Sequence, residues 1–522
     1  MFKQVVKRTV LLALLSTTVI TPAAAQPTSS APSAAPRFEL TFDRAVCDGP
    51  FTGRVWVVVT KRRFTEPVEL VHWFWSEPIF ARDVRDWQPG ETLTFTSDNC
   101  LGYPAPLAEL PANAYRAQAV LGLDDWGQHP VLAPGNARSD VAQFEHTPDR
   151  PAAVRLVIDR RNPPPAVRES RTVRHVKLRS HLLSEFHRRD VHMEALVGLP
   201  DNYGTDKARR FPTVYEIPGF DGRLESIDPT GFQVFLSIEG LDAVVVALAA
   251  SCPTGHHVFA DSANNGPWGT ALVRELIPHL EQEYRLIADP AARLLTGASS
   301  GGWSSLWLQI THPDVFGGVW SLCPDPVDFT RFMQLNIYEP GTNAYVGPDG
   351  APRSFTRPGF FFGRIAPKSF LLLEQVLGRG GQIASFEAVF SPRGEDGAPL
   401  PLVDRRTGAL NPQVAQAWRK YDIRLVLEAN WATLGPKLAG KLHIICGELD
   451  EFYLEQGVES LHAVLQQLGS DAAVRIIPEA GHMLPSSVYS EVAAEMAERL
   501  RRLDKIRQQA TPDSRAGSGE NG

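Results

Sequence analysis

The sequence predicts an α/β domain built on a mostly parallel sheet, preceded by a small all-β, sandwich-like domain. Three observations carry this. With 522 residues the chain is too long for one compact core. From about 37 to 160 the apolar runs are short, β-branched or aromatic, and broken by Pro, Gly, Asn and Asp. After about 171 they become near-continuous and alternate with helix-like segments, the grammar of strands buried on both faces.

The N-terminal stretch MFKQVVKRTVLLALLSTTVITPAAAQ places Lys3, Lys7 and Arg8 before an apolar run that ends in small residues. It reads as a secretory signal over 1–25, followed by a polar spacer over 26–36. The run is too short and interrupted for stable membrane insertion, and no later segment looks transmembrane. A secreted or periplasmic location is therefore expected.

In the 37–160 domain, RVWVVVT, VELVHWFW, ETLTFT, YRAQAVLGL and VRLVID read as strands. Trp73, Trp75 and Trp87 suit either the core of such a domain or a ligand platform, and the core is the stronger reading. Cys47 and Cys100 are placed to bridge this domain in an oxidising compartment. Cys252, Cys323 and Cys446 each end an apolar run and read as buried thiols. No cysteine pattern suggests a metal site.

The Pro-rich 161–170 stretch reads as a linker, and 171–509 as the α/β domain, with 510–522 a disordered tail. Strands are expected at DVHMEALVGLP, FPTVYEIPG, LDAVVVALAA, ARLLTGAS, GGVWSLC, KLHIICGE and AVRIIPEAG. The alternation lapses over about 326–440, an insertion expected to cover one sheet end and shape a pocket. The DGAP in GPDGAPRSF and GEDGAPLPL marks two tight turns rather than a repeat. GRGGQ follows no buried strand and opens no clear helix, so a phosphate loop is not expected. A net charge of −7 gives no general basic surface for nucleic acid.

The chemistry concentrates in RLLTGASSGGWSSLWLQ, residues 293–309. Gly297-Ala298-Ser299-Ser300-Gly301 satisfies G-x-S-x-G between a buried strand and a helix, where a strained turn lifts a serine hydroxyl above the sheet edge. A serine needs a base, and the base an orienting carboxylate. Downstream lie His312, His443, His462 and His482. His482 alone sits in a loop straight after a strand, where such a base belongs. Asp450, beyond the KLHIIC strand, is the favoured acid, with Asp325 and Asp328 as competitors. Backbone N–H groups of Ser300 and Phe220 are the expected oxyanion donors. His256 and His257 follow a strand toward the same edge and are candidate pocket residues. Trp303 reads as helix packing.

FPTVYEIPGFDG, ELIPHLEQEYR, TGASSGGWSSLWLQITHPDVFGGVWSLCPD and CGELDEFYLEQ together resemble the putative-esterase family of α/β hydrolases. That family includes S-formylglutathione hydrolases, enterochelin esterases, feruloyl and acetyl-xylan esterases, and mycolyltransferases. The resemblance spans about 180–500 and implies the α/β-hydrolase fold with Ser299, Asp450 and His482 as triad. Two departures stand out: Pro218-Gly219 replaces the family's usual His-Gly, and the insertion is long. The expected activity is hydrolysis of a small-molecule or carbohydrate-linked ester without metal or cofactor. Acyl transfer through the same triad, or ligand binding on a hydrolase scaffold, are the rival readings.

Overall fold

The computed structural model describes residues 35–126, 129–147, 149–163, 166–205, 207–227, 242–358 and 363–510, with side chains to 503. The expected signal and most of the spacer and tail lie outside them.

Nine strands form the N-terminal domain: β1 (Arg37–Phe42), β2 (Phe51–Thr60), β3 (Ile79–Trp87), β4 (Leu93–Phe95), β5 (Leu101–Tyr103), β6 (Asn113–Leu121), β7 (Ala137–Ser139), β8 (Ala142–His146) and β9 (Ala153–Arg161). They make one continuous sheet, ordered β4-β1-β9-β7-β6-β2-β3-β5 with β8 beside β6. Because β7 pairs with both β6 and β9, the two layers are joined rather than separate. Phe38 and Leu40, Val55 and Val57, Ala117 and Ala119, and Leu156 and Ile158 meet in its core. Trp87 lies in this core against Phe42. Cys47 and Cys100 are free thiols bonded to the carbonyls of Gly49 and Thr96. The expected bridge is not formed.

The run VWVVV is apolar throughout because both faces of β2 are covered. Val55, Val57 and Val59 point inward, while Trp56 and Val58 pack on Leu373, Val376 and Leu377 of the following domain. The Trp56 indole donates to the Val376 carbonyl (3.1 Å) and Arg54 to that of Gln375 (2.7 Å), so the interface between the domains is hydrogen-bonded as well as apolar.

The second domain contains an eight-stranded sheet: β10 (Val173–Ser180), β11 (Val191–Gly198), β12 (Thr213–Ile217), β13 (Val244–Leu248), β14 (Arg293–Ala298), β15 (Gly318–Leu322), β16 (Leu442–Gly447) and β17 (Ala473–Ile477). Its order is β10-β11-β13-β12-β14-β15-β16-β17, and only β11 runs against the rest. This is the α/β-hydrolase arrangement. From β12 the chain goes to β13 on one side and then to β14 on the other, so a crevice opens beyond the carboxyl ends of β12 and β14.

Helices flank this sheet: α1 (His181–His187), α2 (268–283), α3 (Ser300–Thr311), α4 (Pro367–Leu377), α5 (Gln382–Phe390), α6 (Pro412–Trp418), α7 (Ile423–Leu438), α8 (Leu454–Gln467) and α9 (Ser486–Ala510). Helices α4 to α7 fall between β15 and β16 and pack through aromatic contacts. Phe390 alone meets Trp303, Phe329, Trp418 and Tyr421 at 5.1–5.4 Å. GRGGQ does open a helix, since α5 starts at Gln382. Eight of its nine residues are buried, so no polar face marked it as a helix in the sequence. Both DGAP segments are tight turns, closed by Gly347 N–H to Ala351 and Gly394 N–H to Ala398.

Candidate active site

Five segments at the carboxyl edge of the sheet build the site. At the end of β14 the chain turns into α3 through Ser299, whose φ of 59° and ψ of −124° lie where non-glycine residues rarely sit. Bonds over-determine this strained turn: Ser299 N–H donates to Leu322 O (3.0 Å), and Ser299 O accepts from Trp303 (3.0 Å) and Asp325 (3.1 Å). Gly297 and Gly301 pass so close to β12 that a methyl group on either would meet the Ile217 carbonyl, at 2.7 and 2.0 Å.

Beyond β17, His482 Nδ1 lies 2.7 Å from Asp450 Oδ2. A carboxylate only accepts, so Nδ1 carries the proton and Nε2 is left to act as base. Asp450 follows β16, is fully buried, and accepts a second bond from Phe452 N–H (2.8 Å). Glu451 receives the His482 backbone N–H at 2.5 Å, fixing the histidine loop from below. Burial depresses the imidazole, but the hydrogen bond and charge of Asp450 outweigh it and push His482 up to about 9. Only the neutral ring can take a serine proton, so kcat/KM is expected to rise with pH to a midpoint near 9. In Asp450→Asn the rising limb should fall to the ordinary histidine value of about 6.5 or below it, because burial then acts without the Asp450 charge to oppose it, as a pH–rate profile would record.

Asp325, one of the two competing acids, does something else. Its Oδ1 lies 3.4 Å from the Ser299 hydroxyl, while Oδ2 accepts from Ser300 Oγ (2.5 Å) and Gln382 Nε2 (3.2 Å). Burial pushes its carboxyl up to about 6, against the lowering effect of the Ser300 bond. Asp328 faces away, bonded to Ser460 and Arg424. His482 thus pairs with Asp450 and not with its competitors.

Ser300 opens α3, and Phe220 follows Gly219 in the turn after β12. Neither N–H meets a backbone acceptor among the described residues. Ser299, Asp325, Phe220 and His482 line one cavity of about 520 Å³.

The model of the family described as "Putative esterase" matches residues 187–421. This stretch is an esterase-family domain. The match includes Ser299 and ends before Asp450 and His482. Esterases are carboxylic ester hydrolases, and the domain is of that class. No curated protein matches the sequence. Among solved structures, a ferulic acid esterase is similar at 16% identity and TM-score 0.37, over 63% of this chain and 98% of its own. A fluorophosphonate-binding serine hydrolase of Staphylococcus aureus is similar at 14% identity and TM-score 0.36, over 62% and 98%. An S-formylglutathione hydrolase from Agrobacterium tumefaciens is similar at 14% identity and TM-score 0.35, over 63% and 93%.

Two expected pocket residues of the esterase domain sit elsewhere. His256 and His257 are buried and do not line the cavity. His256 Nε2 lies 3.0 Å from the Pro218 carbonyl, so it braces the turn that carries Phe220. His257 stacks on Trp268 at 3.8 Å. Both are held below the usual histidine range by burial and stay neutral. Trp303 packs against Trp307 and Phe390, as expected for a helix residue.

The residues that sequence reading did not single out come from outside the sheet. Gln382 reaches Asp325 from α5. Phe74, from the N-terminal domain, lines the cavity beside Phe370 and Phe452, at 5.9 Å from each. Its neighbour Trp73 is buried against His129 and Phe220 (5.1 and 5.6 Å), and Trp75 stacks on His72. The three tryptophans therefore form no common platform. Among the described residues no helix is long and apolar enough to cross a membrane.

Proposed function

We propose that this protein is a serine esterase working through an acyl-enzyme, with Ser299 as nucleophile, His482 as general base and Asp450 as orienting acid. The observation that carries it is the 2.7 Å His482–Asp450 pair, buried at the edge of the cavity into which the strained Ser299 turn opens. In this reading Ser299 Oγ attacks the ester carbonyl as Nε2 of His482 takes its proton. The Ser300 and Phe220 N–H groups hold the oxygen as it becomes negative. Collapse expels the alcohol, protonated by His482, and water repeats the sequence to release the acid. Asp450 keeps the proton on Nδ1 and stabilises the imidazolium that forms twice per turnover. The chain is exported in this proposal, with 1–25 removed, which sequencing of the mature N-terminus would check.

The test is labelling of the purified protein with a fluorophosphonate, followed by peptide mapping. The expected result is one adduct, on Ser299. A folded protein that stays unlabelled, or carries its adduct on another serine, would sink the proposal.

A further inference from the structure

The cavity has an unusual builder. Its walls come from the sheet edge, the insertion and the N-terminal domain together. Phe74 stands on the segment between Trp73 and Trp75, closed at its base by the Val71–Ser76 bridge. Trp73 plugs this segment between His129 and Phe220, so its tip is held from both sides. The domain behind it is fixed to α4 by Trp56, Val58, Ile79 and Val120. Phe74 therefore keeps a set position over the site, meeting Phe220, Phe370 and Phe452 with centroids 5.9–6.5 Å apart.

The chemistry of the walls is one-sided. Apolar side chains, five of them phenylalanines (Phe74, Phe220, Phe355, Phe370 and Phe452), supply most of the lining, at a volume within the roughly 300–1,000 Å³ that buries a whole small ligand. Among the described residues, the charged groups on it besides His482 are the carboxyls of Asp325 and Glu451; no lysine or arginine lines it. An anionic acyl end placed among these apolar walls, away from His482, would lose its water and meet no lysine or arginine there. Apolar surface is rewarded instead.

Resting on the esterase reading above, we infer that the N-terminal domain completes the ester-binding pocket through Phe74, and that the substrate is an uncharged ester carrying a bulky apolar acyl group. A buried methylene is worth about fourfold in affinity or rate. A pocket of this kind separates esters by size and rejects negative charge.

The experiment measures kcat/KM of the full chain for 4-methylumbelliferyl acetate, pentanoate, octanoate and hemisuccinate. Octanoate is expected to exceed acetate by about 100-fold, since several methylenes enter the apolar walls. Hemisuccinate, matched in length to pentanoate, is expected to be at least about 100-fold slower than it. In Phe74→Ala the octanoate-to-acetate ratio should drop about tenfold, and Phe74→Leu should restore most of it. Flat chain-length dependence, or hemisuccinate cleaved as well as pentanoate, overturns the substrate class. A ratio that Phe74→Ala leaves unmoved overturns the role of the N-terminal domain. Fluorophosphonate labelling of both variants separates these failures from a failure of the esterase reading: a protein that labels but shows no selectivity refutes only this inference, whereas one that never labels refutes both.

Discussion

Ser299→Ala is expected to lower kcat for ester cleavage by about 10⁶-fold, and Asp450→Asn by about 10⁴-fold, with neither change unfolding the protein. The serine loss removes the attacking oxygen, so only binding and oxyanion donors remain. The asparagine acts differently. It is nearly isosteric and keeps the Phe452 N–H bond at Oδ1. At the other branch it can present an N–H toward His482, which inverts the tautomer and puts the ring proton on Nε2. That nitrogen then cannot take the serine proton. Because Asp450 is fully buried, no water replaces the lost acceptor. The double variant Ser299→Ala/Asp450→Asn should be no slower than Ser299→Ala alone, since the groups act as one unit. Single-turnover kinetics with an activated ester would check all three. A residual rate in Asp450→Asn within tenfold of wild type would transfer the acid role to Asp325, the other carboxyl at the site.

How far this site could be read in advance depended on what each residue was constrained by. Ser299 was legible because two glycines and a strand-to-helix switch enforce its turn locally. His482 emerged by elimination, since the other downstream histidines sit on strands or helices. Asp450 was preferred to Asp325 on position alone, and the distinction is physical: both are buried, but one faces the imidazole and the other the hydroxyl. Phe74 left no such trace. An aromatic between two tryptophans looks the same whether it fills its own domain's core or reaches into another's. Gln382 was hidden because α5 is buried almost all round and so has no periodicity to betray it. His256 misled for the opposite reason: it does approach the site, but its ring is spent on the Pro218 carbonyl, beneath the surface. The β2 run was read correctly as a strand, yet its covered second face only makes sense once α4 lies on it. Local constraint was readable; docking between domains was not.

Gly301→Ala should be among the most destabilising single changes available, costing about 4 kcal/mol or more, and Gly457→Ala supplies the contrast. Both glycines are buried on helices, α3 and α8, where alanine by propensity is better by up to about 1 kcal/mol. Their surroundings differ. A Cβ on Gly457 meets nothing closer than the Val327 N–H at 3.6 Å, an ordinary contact. A Cβ on Gly301 lies 2.0 Å from the Ile217 carbonyl and 2.7 Å from that of Pro218. Both are backbone atoms of β12 and the turn after it, so no rotamer change relieves the clash. Either α3 lifts off the sheet or β12 shifts, and the sheet resists because Ile217 is paired with Gly297 on β14. Sterics therefore overwhelm propensity at 301, while propensity is free to act at 457. Urea unfolding should show Gly457→Ala at or above wild-type stability and Gly301→Ala far below it. Should Gly301→Ala fold at all, it should lose fluorophosphonate labelling, because the displaced segment is the one that carries Gly219 and the Phe220 N–H. Equal midpoints for the two variants would mean that α3 and β12 do not pack this closely, and the strained turn at Ser299 would lose its physical basis.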